Sequence, residues 1–364
     1  MSVLPSGFDP AWSQDEKNHF FADANRRHHA RQVERAAIFK TARDFCAAYE
    51  PLSYAVEPII RSSSLYSITA KTGSGKTALA IIMALAVATG RPDILGCEVA
   101  RGRVAYVAAE NPDDLRMRIM VASYQLNIDL DELSDGLVIL EYRVKPEELV
   151  SRLKALAESP PFSLVIIDTL AAFFDGSDVN DNVQAGDFMR RLRPITQIPG
   201  KPSLIVAAHP VKNASDDNLV PYGGGAILNE VDGNLTLSSK NGLVSLHWQG
   251  KLRGLEFKPR YFRTEIASSP DVIDAKGREV LLPVFMPAAE EDAERREEAD
   301  TNIKLALLKA MIAKPDAPLR EWGEMIGRAK SNVHAALGSL AKERLAEKIL
   351  NRWSPTEKGK KHVG

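Results

Sequence analysis

Short apolar runs alternate with amphipathic stretches between residue 64 and residue 208. The apolar runs have the length and composition of buried strands, and most of the stretches between them have helical spacing. The runs lie at residues 64–70, 103–108, 137–141, 163–167 and 203–208. Because strands that alternate with helices form parallel sheets covered on both faces, this pattern predicts an α/β fold with a mostly parallel central sheet.

The pattern changes after residue 220, where helical spacing gives way to consecutive strand-like segments. They span 233–238, 242–249 and 256–266 and are joined by glycine-containing turns, of which Lys240-Asn241-Gly242 is typical of a hairpin. We expect antiparallel strands here, following the parallel ones. The core domain would then occupy residues 51–286.

Smaller regions flank this core. Over 31–49, charged residues alternate with apolar ones as in an amphipathic helix, which predicts a helical leader within 1–50. Residues 287–300 are dense in Ala, Glu and Arg and are typical of a solvated linker, for which a helix is one alternative. The helical patterns and strand-like tail beyond it predict a small winged helix-turn-helix domain over 301–364. These patterns lie at 302–313, 319–326 and 331–347, with the tail at 348–353.

Composition narrows the possible settings. The 364 residues are enough for two domains, and a hydrophobic fraction of 45% allows a large core. A formal net charge of −1 argues against a wholly basic nucleic-acid-binding surface. Two cysteines alone, Cys46 and Cys97, exclude a disulfide framework and favour a reducing, cytoplasmic setting. The longest apolar run, 78–89, is shorter than a membrane span, so no membrane partner is expected.

A glycine loop, Ala-Lys-Thr-Gly-Ser-Gly-Lys-Thr at 70–77, follows the first strand and opens a helix. Backbone N–H groups and the helix dipole there favour a phosphate group. Lys76 would reach the β- and γ-phosphates, and Thr77 would place its hydroxyl on Mg²⁺. Ala70 stands where the motif usually has glycine, and a glycine turn that merely precedes a helix is the alternative. The predicted phosphate-binding residues are Thr72, Gly73, Ser74, Gly75, Lys76 and Thr77.

Polar residues follow three of the other strands. Asp168 ends an apolar strand, as an aspartate that holds a water of the Mg²⁺ shell does, although a strand-end cap would look the same. The next residue is not an acid, so the general base must come from elsewhere, and Glu110 is the candidate unless it is a plain surface glutamate. His209 could touch the γ-phosphate or be structural.

The glycine loop, Glu110, Asp168 and His209, in this order, resemble the RecA-like P-loop ATPases, in particular the plasmid RepA-type hexameric replicative helicases. The resemblance covers roughly residues 50 to 265. It implies a RecA-like core, hydrolysis of Mg²⁺-ATP, and a homo-hexameric ring through which single-stranded DNA passes.

In such rings a neighbouring subunit supplies cations to the γ-phosphate. Residues 247–254 look like the Lys-x-Arg-Gly element that does so, which implies catalytic roles for Lys251 and Arg253; a basic hairpin tip facing solvent is the alternative. Tyr222 begins the stretch in which relatives carry a small-residue loop, often introduced by Arg.

From residue 319 onwards, the sequence contains ten basic and five acidic residues. A basic winged-helix face suits duplex DNA, although the same fold also docks proteins. The leading hypothesis is therefore an ATP-driven DNA motor of a mobile element or phage. An ATP-switched DNA-binding regulator and an assembly or recombination factor remain as alternatives.

Overall fold

The computed structural model describes residues 8–9, 11–157, 160–240 and 242–363, without the side chains of 28–38 and 224. Asn241, in the middle of the predicted hairpin turn, lies outside the described residues. The chain divides into two compact units, Met1–Leu52 and Ser53–Gly364. Within the described ranges, no helix is both long and apolar enough to cross a membrane.

The first unit contains two helices, α1 Gln14–Ile38 and α2 Ala42–Ala47. The single helix expected over 31–49 is therefore wrong in its bounds. Helix α1 begins earlier because Ser13 and Glu16 form a capping box: the Ser13 N–H donates to the Glu16 carboxylate at 2.8 Å, and the Glu16 N–H donates to Ser13 Oγ at 3.3 Å. Thr41 starts the second helix by accepting a hydrogen bond from the Asp44 N–H.

The second unit opens with a small antiparallel pair, β1 Tyr54–Val56 and β2 Ile60–Arg61. An alternation of strands and helices follows, as the apolar pattern predicts. In chain order the elements are β3 Leu65–Ala70, α3 Lys76–Thr89, β4 Arg103–Ala108, α4 Pro112–Gln125, β5 Leu137–Leu140, α5 Pro146–Leu156, β6 Phe162–Asp168, α6 Leu170–Phe173, α7 Asn182–Leu192 and β7 Ser203–Ala208.

The remaining elements of this region are mostly strands. They are α8 Gly224–Glu230, β8 Gly233–Lys240, β9 Leu243–Leu252, β10 Arg260–Ala267 and β11 Leu282–Ala288. The last of these was not predicted, because Pro283 and Pro287 interrupt its apolar pattern.

One nine-stranded sheet contains all of β3 to β11, in the order β11-β10-β9-β8-β3-β7-β6-β4-β5. The six strands from β8 to β5 run parallel, and β9, β10 and β11 extend the sheet in antiparallel fashion. Strand β8 is the turning point, since it is parallel to β3 and antiparallel to β9. Apolar clusters cover both faces of the parallel part, which explains why these strands read as continuous apolar runs. The α/β fold with its mostly parallel sheet and antiparallel extension is thus confirmed.

A small C-terminal module follows. Its elements are α9 Glu290–Ala313, α10 Leu319–Ile326, α11 Lys330–Lys342, β12 Ala346–Ile349, β13 Arg352–Pro355 and α12 Glu357–Val363. The helices pack around Leu307, Trp322 and Leu337, each at most 2% exposed. The third predicted helix was expected to reach residue 347, but it ends at Lys342 and the chain turns into an antiparallel hairpin.

The predicted linker at 287–300 comprises the end of β11 and the first half of α9, so most of it is helical. Its Ala, Glu and Arg residues are strong helix formers, and ion pairs connect the helix to the end of β8, to the β9–β10 loop and to β10. The pairs are Lys258–Glu290 at 3.3 Å, Arg263–Asp292 at 3.5 Å and Lys240–Asp300 at 3.3 Å. A continuous helix therefore leads from the sheet into the C-terminal module.

Candidate functional site

The glycine loop leaves the carboxyl end of β3 and enters α3. Gly73 and Gly75 have φ values of +79° and +91°, which L-residues with side chains rarely adopt. Ala70 needs no such freedom, since it is the fully buried last residue of the strand. Its departure from the usual motif therefore places no strain on the loop.

Gly75 is required for a second reason. A Cβ at this position would lie 2.1 Å from Cζ of Phe285 on β11. Phe285 is itself stacked on Phe262 of β10, with ring centroids 6.1 Å apart and planes 21° apart. The ring of Phe285 on β11 thus lies directly on the glycine loop. No sequence motif predicts this contact.

Lys76 is buried in the loop that precedes it. Its Nζ donates to the Ala70 carbonyl at 2.7 Å and lies 3.4 Å from His209 Nδ1. Burial lowers the pKa of Lys76, while Asp168 and Glu110 oppose this shift. The ammonium group is positioned to exchange the carbonyl for an anionic oxygen.

Asp168 ends β6 and is 7% exposed. Its Oδ2 accepts a hydrogen bond from the Tyr106 hydroxyl at 2.8 Å, whereas Oδ1 is buried without a hydrogen-bond partner among the described residues. Burial raises the pKa of the Asp168 carboxyl, and the hydroxyls of Tyr106 and Thr77 oppose the rise. An unsatisfied carboxylate oxygen close to a threonine hydroxyl suits a hard cation such as Mg²⁺, so the residues fit the predicted metal.

Glu110 follows β4 and is exposed. Thr169, the residue after Asp168, is 5% exposed, and its hydroxyl donates to Glu110 Oε2 at 3.3 Å. The position expected to hold an acid in other ATPase classes thus holds a hydroxyl that orients Glu110. Thr169 was missed as a functional candidate because the sequence drew attention only to the absence of an acid there.

His209 follows β7 beside Lys76. Desolvation and the nearby ammonium of Lys76 lower the pKa of the imidazole, so it is neutral at pH 7. Tyr222 stacks on it, with centroids 6.4 Å and planes 18° apart. The Tyr222 hydroxyl is buried without a described partner, and burial raises its pKa to about 12. Tyr222 therefore packs into the site and does not lie on a free loop.

Lys76, Glu110, Thr169 and His209 line one cavity of about 310 Å³, a size within the range of small-molecule sites. Asp168 lines a smaller cavity that shares Thr77 and Glu110 with it. The floor of the larger cavity is the glycine loop. The opposite wall comes from the antiparallel strands. The wall residues are Ser239, Val244, Thr264, Pro283 and Phe285.

Lys251 and Arg253 are not part of this cavity. Gly233 pairs with both Tyr66 and Leu252, which places the end of β9 near the amino ends of the parallel strands, opposite the glycine loop. Lys251 Nζ donates to the Asn229 carbonyl at 2.6 Å, and Arg253 Nη1 donates to Asp232 Oδ1 at 3.2 Å. The structure thus brings four of the six predicted catalytic residues together and leaves two at the far edge.

Comparison with known proteins agrees with this geometry. A family model described as an AAA domain matches residues 30–215, which are 186 of the 364 residues, and no curated protein matches the chain. The match contains the glycine loop, Glu110, Asp168 and His209. With more than half of its length matched, the chain belongs to the AAA-domain family of P-loop, nucleotide-binding ATPases.

Proposed function

We propose that the chain hydrolyses ATP in the cavity above the glycine loop. The observation that carries this proposal is the convergence of five side chains on two cavities that share Thr77 and Glu110: Lys76 and His209 line the larger cavity, and Asp168 lines the smaller one. A strand–loop–helix phosphate site alone would support binding; the added carboxylate and imidazole supply what hydrolysis requires.

Each residue then has a distinct task. Lys76 binds the β- and γ-phosphate oxygens. Thr77 and Asp168 hold Mg²⁺, which when bound neutralises charge on the phosphates. Glu110, oriented by Thr169, accepts a proton from the attacking water as the new P–O bond forms and the bond to ADP breaks. Neutral His209 donates a hydrogen bond to the γ-phosphate.

The first test is Lys76→Ala. Removing the ammonium should abolish phosphate release and strongly weaken ATP binding, measured with a fluorescent ATP analogue. Undiminished phosphate release in this variant, with its fold intact by circular dichroism, would contradict the assignment of the site.

We further propose that the chain forms a homo-hexameric ring in which Lys251 and Arg253 act on the nucleotide of a neighbouring copy. The supporting observation is their position. Strand β3 has six residues and is therefore about 20 Å long. Cations at its opposite end are out of reach of the phosphates bound by the same chain. The mass of the assembly with and without ATP tests this proposal, and a species that remains monomeric with ATP would rule out the ring.

The same ring would act on DNA as a RepA-type helicase. Besides the order of the site residues, the C-terminal module supports a DNA role, because the helices α9 to α11 and the hairpin that follows them match the order of a winged helix-turn-helix. Arg328, Lys330 and Lys348 there are exposed and have no acidic partner among the described residues.

ATP hydrolysis that rises with single-stranded DNA, together with unwinding of a forked duplex, is the expected result. Stimulation without unwinding would favour an ATP-switched regulator, and hydrolysis that ignores DNA would favour an assembly factor.

A further inference from the structure

Tyr106 is a buried tyrosine in the interior of the central sheet. It lies in the middle of β4, is 1% exposed, and carries a hydroxyl that must find a partner there. Strands β4 and β6 are neighbours, with Tyr106 opposite Ile166 and Ala108 opposite Asp168. The long side chain therefore reaches two residues along the sheet and donates to Asp168 Oδ2 at 2.8 Å.

This hydrogen bond fixes the orientation of the carboxylate. A carboxylate free to rotate about its Cβ–Cγ bond would offer either oxygen to any partner. With Oδ2 occupied by the phenol, Oδ1 is the oxygen left buried and unpaired. A small cavity of about 180 Å³, lined by Thr77, Tyr106, Glu110 and Asp168 among others, adjoins the pair and leaves room for polar ligands of a cation.

We propose that Tyr106 is a positioning residue for the Mg²⁺ site: its hydroxyl holds one oxygen of Asp168 and so presents the other towards Thr77 and the metal. This inference rests on the proposed ATPase function. It adds Tyr106, which lies in the middle of a strand, to the residues that prepare the metal site. From its burial alone, this side chain would be assigned to the hydrophobic core.

A second buried tyrosine separates this role from simple packing. Tyr66, on β3, is also 1% exposed, and its hydroxyl accepts a hydrogen bond from the Arg61 N–H at 3.1 Å. That bond lies towards the amino ends of the parallel strands, at the other edge from Asp168. Tyr66→Phe therefore removes one buried tyrosine hydroxyl from the same sheet without touching the carboxylate.

The experiment measures binding of a fluorescent ATP analogue in EDTA and across a Mg²⁺ titration, without reference to turnover. In Tyr106→Phe the Mg²⁺ concentration for half-maximal binding should rise about tenfold, the change expected for loss of one hydrogen bond to a charged group. Affinity in EDTA should stay within about twofold of the wild type, because no phosphate contact is lost. Tyr66→Phe should leave the Mg²⁺ dependence unchanged.

An unaltered Mg²⁺ dependence in folded Tyr106→Phe, or an equal shift in both variants, would overturn the inference while leaving the ATPase proposal standing. A wild-type chain that binds no nucleotide would overturn both. If the phenylalanine variant does not fold, Tyr106→Met, which fills the space flexibly without a hydroxyl, carries the same expectation.

Discussion

The central sheet differs between the carboxyl ends and the amino ends of its parallel strands. At the carboxyl ends, which we call the complete edge, one chain supplies all the catalytic groups proposed there, whereas the cations at the amino ends lie away from any phosphate site of their own chain. At the carboxyl ends of β3, β4, β6 and β7, the residues Lys76, Glu110, Asp168 and His209 lie close together around two cavities that share Thr77 and Glu110. At the opposite edge, Lys251 and Arg253 are engaged with Asn229 and Asp232 of their own chain. A parallel sheet places the carboxyl ends of neighbouring strands side by side, so residues that follow these strands lie close together. Lys251 and Arg253, at the amino ends, could act only on a nucleotide bound by another copy of the chain.

The largest expected effect is at the complete edge. Glu110→Gln keeps the size and the hydrogen bond of the side chain but removes its basicity, so kcat should fall about 10³-fold while ATP binding persists. Phosphate release and analogue binding measure the two quantities. Asp113→Asn, an acid in the first turn of α4 whose side chain is 85% exposed, is the control and should keep full activity. An unchanged kcat in Glu110→Gln would contradict the assignment of Glu110 as the general base.

Arg253→Ala tests the other edge. If its guanidinium acts on a neighbour's nucleotide, kcat should fall on the order of 10²- to 10³-fold. Arg193 is a matched control, because its Nη1 also pairs with Asp232, at 3.1 Å. Arg193→Ala breaks an ion pair to the same carboxylate and should reduce stability without the loss in kcat.

Mixing the inactive variants sharpens the same comparison. A ring of Arg253→Ala and Glu110→Gln subunits contains some interfaces in which both residues are intact, so activity should reappear on mixing. Absence of any rescue, with mixed rings demonstrated by mass, would show that Arg253 does not act between subunits.

Gly75→Ala probes the packing of the complete edge. Positive φ and the contact with Phe285 should together cost about 2–4 kcal/mol in the free energy of unfolding, measured with denaturant. Gly73→Ala shares the positive φ but has no atom within 4 Å of the added Cβ, so its cost should be about 1 kcal/mol. Equal costs for the two variants would mean that Phe285 yields easily.

The smallest expected effect concerns pH. The pKa of His209 is lowered in the folded state, so the folded chain resists its protonation. Stability linked to this residue is present above the unfolded pKa of about 6.5 and is lost as pH falls below it. Over pH 7.5 to 5, His209→Gln should therefore lose less thermal stability than the wild type. An identical decline in thermal stability in both proteins would show that a group other than His209 causes the loss of stability at acidic pH.

Sequence reasoning located the features that depend on local order. A glycine loop between a strand and a helix, and acids at the ends of apolar strands, are legible because a parallel sheet brings such ends together. Tyr106 and Phe285 were missed because each reads as an ordinary core aromatic. Their roles depend on contacts between residues that are distant in the chain, such as the hydrogen bond between Tyr106 and Asp168, which are 62 positions apart.

The predicted helix boundaries were wrong for different reasons. The capping box at Ser13 and Glu16 is visible in the sequence alone. The ion pairs of α9 join residues that are distant in the chain, so the linear pattern could not show them. The roles of Lys251 and Arg253 remain predictions, since one chain shows only where they lie.

The ring of Phe285 also determines how much of the chain a fragment needs in order to contain the whole proposed active site. The family match ends at residue 215, yet the residue that lies on the glycine loop belongs to the last strand, which ends at Ala288. A fragment cut between these points would keep Lys76, Glu110, Asp168 and His209, the proposed catalytic residues of the complete edge, but would lose the ring that contacts the glycine loop. Any transplant of this ATPase into another protein has to carry all nine strands of the sheet.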